Sequence, residues 1–244
     1  MNTVLSLVIL TAAMALPLTA TDSFSREIPT PPPVTGPPPP PTYPLPSIEK
    51  LGNGSYRIGE ITINKGERSV SFPAQVNMDK GMLEYLLVHR HGKTHESLLR
   101  TSVSPYTLQV AFMLLGFEGT DKRIAGQGSP ETPKGEQVRI LISDVAGKPG
   151  GQFPVEAWLM NRFGEKTKEV GPIDWVFCGS FVSAYGAFMS QATGSVIAIW
   201  HDPVALIDNA SPGGESNRIW FSREGTTPPP GTPVTVTIKP ARQQ

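Results

Sequence analysis

The sequence predicts an α+β fold, a mostly antiparallel β-sheet with one buried core helix at about residues 104–116. Two observations carry this. Short apolar runs, several rich in β-branched and aromatic residues, are punctuated by Gly, Pro, Asn and Asp, as strands and turns are. One stretch, YTLQVAFMLL, is instead apolar nearly all round and must be covered on most sides. Its ends are marked: Ser104 is placed to cap it, Pro105 fits the first helical position, and Gly116 suits the left-handed residue that stops it.

The strands expected in order are Tyr56–Asn64, Arg68–Val76, Leu83–His89, His95–Thr101, Gln137–Asp144, Phe153–Met160, Ile173–Cys178, Ser195–Trp200, Arg218–Phe221 and Val234–Lys239. No internal repeat is evident, so residues 48–240 read as a single domain followed by a short tail, 241–244. A loop-rich stretch, GTDKRIAGQGSPETPKGEQ, separates the helix from the next strand; loops of that length are commonly either functional or mobile. The glycine-rich phrase GKPGGQ, 147–152, reads as a turn between two strands.

Ahead of this domain lie two segments of different character. Residues 1–20 read as a signal peptide: an apolar run from Val4 to Leu16, Pro17 as a breaker, and small residues at Ala15 and Ala20 for cleavage. The run falls short of the roughly 20 residues that span a bilayer. The chain is therefore expected to be exported to a periplasmic or extracellular location, with no transmembrane segment after cleavage and a membrane tether if the signal is retained. Residues 21–47 form a disordered, Pro-rich linker whose core, PTPPPVTGPPPPPTYPLP, favours an extended polyproline path.

Composition removes several functions. Twenty-one Lys and Arg offset twenty-one Asp and Glu, leaving no basic excess for nucleic acid. Cys178, the sole cysteine, has no partner for an internal disulfide, and its apolar neighbours read as burial rather than thiolate chemistry. HESLL has Leu99 where a helical zinc protease needs its second His. Neither a P-loop nor a G-x-S-x-G elbow is present.

The chemistry concentrates in two phrases. LEYLLVHRHGKTHESLLRT holds three of the four histidines and reads as a β-hairpin turning at Gly92-Lys93. A two-residue loop would pair His89 with Glu96 and His91 with Thr94; a three-residue loop would make His89, His91 and His95 co-facial. His95 and Glu96 sit where the chain re-enters an apolar strand, so burying either demands a partner. The second phrase, SVIAIWHDPVALIDN, runs a strand into His201-Asp202 and then offers Asp208 and Asn209. Two imidazole–carboxylate doublets, His95/Glu96 and His201/Asp202, would together suit a zinc-like divalent ion or a metal-free acid–base pair. The bland alternative has Asp202 and Asp208 capping a turn at Pro203 while His201 faces solvent. His89, His91, Asp208 and Asn209 are the weaker candidates.

FPAQVNMDKGMLEYLLVHRHGKTHESLL, SPYTLQVAFMLLG, WVFCGSF, VIAIWHDPVALIDN and PPPGTPVTVTIKP resemble, in order, the segments of the bacterial YdjY-domain proteins, over roughly residues 47–240. GKTHESLL is the most specific piece and ALIDN the second. Gly92, Lys93, His95, Glu96 and Ser97 match the family phrase, as do Asp202, Asp208 and Asn209, whereas His89 and His91 fall outside it. The resemblance implies an exported domain without prescribing a reaction. The expected function is a binding module of the cell envelope, taking a small ligand or an envelope protein at His95, Glu96, His201 and Asp202. The alternatives are an enzyme with His95 or Glu96 as acid–base groups, and a purely structural interaction domain.

Overall fold

The computed structural model describes residues 41–143 and 151–241. The expected signal peptide, the linker up to residue 40, Asp144 and most of the expected 147–152 turn lie outside the described residues. Strands hold 38% of the described residues and helices 11%, and the strands close on themselves, so the α+β expectation is corrected to a β-barrel.

In chain order the elements are β1 (Ile48–Gly52), β2 (Ser55–Ile58), β3 (Ile61–Asn64), β4 (Ser69–Val76), β5 (Tyr85–His89), β6 (Ser97–Thr101), α1 (Pro105–Leu114), β7 (Glu136–Ser143), β8 (Phe153–Pro154), β9 (Leu159–Phe163), β10 (Lys166–Glu169), β11 (Trp175–Phe177), α2 (Met189–Thr193), β12 (Ser195–Ala198), β13 (Ile207–Asn209), β14 (Trp220–Ser222) and β15 (Pro233–Pro240). Short 3-10 turns occupy Thr94–Glu96 and Val155–Trp158. The barrel runs β4-β15-β7-β11-β13-β12-β5-β6 and closes where β6 returns to β4, through Gln75↔Arg100 and Val76↔Leu99. β1, β2 and β3 extend from β4, β8 adds to β7, and β10-β9-β14 forms a separate small sheet.

The expected hairpin does not form. β5 and β6 are parallel, with Tyr85 opposite Ser97, Leu87 opposite Leu99 and His89 opposite Thr101. Arg90–Glu96 therefore carries the chain back along the pair instead of folding it at Gly92-Lys93. β12 and β13 repeat the arrangement, meeting in parallel at Ile197↔Ile207. β5 and β12 themselves are antiparallel neighbours. The amino-acid pattern agrees with this placement: every residue of β5 and of β12 is buried, as expected of strands covered on both faces. β4, whose outer face meets solvent over part of its length, alternates from Phe72 onward.

Two other strand expectations were too long. Tyr56–Asn64 is a two-strand hairpin broken at Gly59, whose φ of +57° a side chain would disfavour. Phe153–Met160 is interrupted by the 3-10 turn at Val155–Trp158.

The α1 helix keeps its predicted ends. Ser104 Oγ accepts from Thr107 N at 3.3 Å, Pro105 opens the first turn, and Gly116 takes a φ of +72°. Its burial is corrected: Leu108, Ala111 and Phe112 enter the core, but Met113 and Leu114 are exposed, so one side of the helix meets solvent. The Arg68 guanidinium satisfies its C-terminal carbonyls, donating to Leu115 O and Gly116 O while pairing with Glu136 at 2.9 Å. No helix among the described residues is long and apolar enough to cross a membrane.

Leu99 is fully buried at the seam that shuts the barrel, opposite both Val76 and Leu87. Leu99→Ala is expected to cost about 2–5 kcal/mol in urea-denaturation stability, as large-to-small core changes do. A loss below about 1 kcal/mol would show that β6 is not a closing strand.

Candidate functional site

The parallel return of β6 sets Glu96 and Ser97 beside the start of β5, and the antiparallel β12 delivers its own exit, Ile199–Asp202, to that same end. Ile199 N and Trp200 N both donate to Glu84 O, and Glu84 N donates to Glu96 O. Glu96 and Asp202 thus approach the same residue, Tyr85, from two sides. The Tyr85 hydroxyl donates to Asp202 Oδ2 at 2.7 Å and accepts from Gln127 Nε2 at 2.9 Å, and the Lys93 ammonium stands over the Tyr85 ring, 5.4 Å from its centre. Lys93 Nζ is 3.3 Å from Glu96 Oε1, 3.9 Å from Glu84 Oε2 and 3.3 Å from Gln127 Oε1. Asn217 donates to Glu84 Oε1 at 3.1 Å.

Glu84, Lys93, Glu96, Gln127 and Asn217 accordingly make a semi-open polar cluster over a buried Tyr85–Asp202 pair. Burial is the main cause of a raised Glu84 pKa, and the neighbouring Glu96 adds to it, while Asn217 and Lys93 oppose it. Burial and the Asp202 carboxylate also raise the Tyr85 phenol, which remains a hydrogen-bond donor at neutral pH.

The two histidines of the expected doublets do not join this cluster as ligands. The His95 ring is 79% exposed, with Nε2 3.5 Å from Glu96 Oε2. His201 is buried rather than solvent-facing, with Nδ1 2.7 Å from Ser129 O and Nε2 2.8 Å from Asn209 O. Both of its ring nitrogens face backbone carbonyl acceptors, so neither is directed at an ion. Gly214 packs its bare backbone on this ring, since a Cβ there would run into His201 Nε2 and Asn209 O. Among the described residues no group of three or more His, Cys, Asp or Glu is arranged to hold a metal ion. The donor set His95, Glu96, His201 and Asp202 does not fit a zinc-like site, because one imidazole is occupied and the other lies out in solvent.

Asp202 and Asp208 serve the turn at Pro203. Asp202 Oδ1 accepts from Val204 N at 3.1 Å, and Asp208 accepts from Asp202 N at 3.0 Å and Asn209 N at 2.8 Å. Asn209 bonds Ile199 O and Ser211 N. The space beside the two acids, bordered by Arg123 and Cys178, measures about 10 Å³, room for about one water and no organic ligand. Burial pushes the Cys178 thiol up to about 12, which leaves it a small buried hydrophobe.

His89 and His91 stand at the far end of β5. Their ring centres lie 4.1 Å apart with the planes tilted by 52°; His89 Nε2 meets Ser102 O and His91 Nε2 meets Gln191 O. Burial is the main cause of a lowered His89 pKa, and the charges of His91 and Arg90 add to it. His89 is thus paired across from Thr101, and neither expected hairpin register describes it.

Four members of the cluster were missed in the sequence. Glu84 carried a signal, a carboxylate inside the apolar run LEYLLV that had to find partners, and Lys93 lay inside the family phrase. Gln127 and Asn217 come from loops with no local signal.

A family model described as the YdjY domain matches residues 61–239, which contain the whole barrel apart from the last residue of β15. No curated protein and no solved structure matches the chain.

Burial raises the Asp208 carboxyl from its ordinary 3.8 to about 7, outweighing the two backbone N–H groups that favour its charged form. Between these values the folded chain holds a proton that the unfolded chain has released, so this residue's contribution to stability is complete below about pH 4 and declines as pH rises through about 7. Urea midpoints measured at about pH 4.5 and 7.5 should show wild type losing on the order of a few kcal/mol more than Asp208→Asn over that interval. Equal pH dependence in the two proteins would remove Asp208 as the cause.

Proposed function

We propose that this chain, which belongs to the YdjY-domain family, is an exported binding module of the cell envelope that takes a hydroxyl-rich, uncharged ligand at the Glu84–Lys93–Glu96 end of the barrel. The observation that carries the reading is the Lys93 ammonium standing between Glu84 and Glu96, with the Gln127 and Asn217 amides alongside. Donors and acceptors alternate there, and the one ammonium is shared between the two carboxylates. A hydroxyl, which both donates and accepts, is the complementary group. A cationic ligand or metal ion would instead have to displace Lys93. Export rests on the N-terminal sequence, and an envelope glycan is the hydroxyl-rich material such a module would meet.

A second reading is supported by one specific observation: Glu84 has a raised proton affinity beside a second carboxylate, Glu96. A carboxyl of raised proton affinity beside a second carboxylate performs acid–base catalysis in other folds. Here Glu84 would hold the proton and Glu96 would be the base, in place of the His95/Glu96 pair.

Calorimetric titration of the full chain with a soluble N-acetylglucosamine oligosaccharide distinguishes these. Saturable binding is expected, weakened about tenfold or more by Lys93→Ala and by Glu96→Gln, the scale of one lost charged hydrogen bond. Cleaved oligosaccharide that disappears in Glu84→Gln would favour the enzyme reading. Absence of binding at millimolar ligand, or binding indifferent to both substitutions, would overturn the proposal.

A further inference from the structure

At the opposite end of β5 the surface is cationic and open. On the side of β4 away from β15, β3 is paired only as far as Ser71, and β6 begins pairing at Gln75. Between them a gap is left around Pro73, which has no N–H to offer a neighbour. The Thr101 hydroxyl closes part of that gap by donating to Pro73 O at 2.7 Å. Above it lies a cleft of about 590 Å³ whose lining includes Pro73, Pro233, Arg90, Arg100, Ser102 and Glu60.

Two guanidiniums border this cleft without a carboxylate to neutralise them. Among the described residues Arg90 makes no hydrogen bond or ion pair through its side chain, and Arg100 reaches only Gln75 Oε1, at a long 3.4 Å. The two residues follow from paired parallel strands, with Arg100 opposite Val88 and Arg90 N donating to Thr101 O. Glu60 is the one carboxylate in the lining, and the Ser102 hydroxyl holds it at 3.3 Å. Elsewhere among the described residues the half-buried Arg68 is matched bidentately by Glu136 and Arg123 donates to the Gly179 and Pro203 carbonyls, whereas Arg90 and Arg100 have no comparable partners.

We propose that the cleft is an oxyanion site, in which Arg90 and Arg100 bind a carboxylate or phosphate group while a small apolar body rests on the Pro73 and Pro233 rings. A planar guanidinium presents parallel N–H donors that match either group, and two of them acting together give both charge and orientation. The proposal is independent of the Glu84–Lys93–Glu96 cluster.

The full chain is titrated with inorganic phosphate and, separately, with butyrate, and binding is followed by NMR shifts of the Arg90 and Arg100 side-chain N–H groups and the Ser102 amide. Saturable millimolar binding of at least one probe is expected, weakened at least about tenfold by Arg90→Gln and by Arg100→Gln and strengthened severalfold by Glu60→Gln. Butyrate alone would assign a carboxylate ligand, phosphate alone a phosphorylated one, and both the shared oxyanion chemistry. Lys93→Ala should leave these affinities unchanged, and melting temperatures of the Arg variants should match wild type. Failure of both probes to saturate at about 50 mM, or affinities indifferent to the Arg substitutions, would overturn the site.

Discussion

A strand that must lie parallel to its predecessor after only seven residues has to travel back along the whole length of the pair. Five residues of β5 occupy about 17 Å, and seven extended residues reach about 25 Å at most, so Arg90–Glu96 has little slack. The segment uses it in one tight turn, Gly92 N to His89 O, and one 3-10 turn at Thr94–Glu96. That constraint puts Glu96 next to Glu84 instead of across from His89, and it sends Lys93 over the Tyr85 ring. A hairpin would have placed the same residues on a solvent-facing tip. The chain repeats the device at β12 and β13, and because β12 runs antiparallel to β5, both returns lay polar side chains on the same end of the barrel.

What lies under that end is a chain of hydrogen bonds that fixes it. Tyr85 holds Asp202, Asp202 N holds Asp208, and Asp208 holds Asn209 N, while Asn209 in turn ties Ile199 to Ser211. The loop between α1 and β7 caps this arrangement. Gly128 presses its backbone on the Trp200 indole, Ser129 O faces His201, and Gln127 reaches Tyr85. Buried carboxylates in such a setting are costly unless every oxygen is answered, and here each is. Removing one acid would leave a backbone N–H or a phenol unpaired in the core, which makes these residues conspicuous in the sequence without making them ligands.

Local structure was legible where local chemistry decides it. Ser104, Pro105 and Gly116 bound α1 because capping and left-handed φ depend on those residues alone, and every barrel strand but β13 was expected within two residues of its ends, whereas β1 and β10 were not expected. Closure was not legible, because it rests on β6 meeting β4 from a distance and on two parallel pairings, the first of which, β5–β6, the glycine at position 92 disguised as a hairpin. Equal burial on both faces of β5 and β12 was the available warning, since an apolar run without alternation argues against a simple hairpin edge. In the site, Glu96 was singled out from its cost of burial and Asp202 from its place where an apolar strand ends. The imidazoles beside them were over-read, since a ring between two carbonyls and a ring in solvent look alike in one dimension.

β5 finally separates two surfaces of different electrostatic character. From Glu84 to Arg90 the chain covers about 20 Å in extended form, roughly two Debye lengths at physiological ionic strength. At the first end, two acids flank the single ammonium, and burial raises the proton affinity of Glu84. At the second, His89 is pushed toward neutrality by burial and by nearby positive charge, and the arginines are left open. One strand thus fixes the spacing and the sign of both ends, and a change in its register would move them together. A slip of one residue would turn Tyr85 off Asp202 and draw Arg90 toward the β5 core, so the pairing that shuts the barrel also keeps the two surfaces distinct.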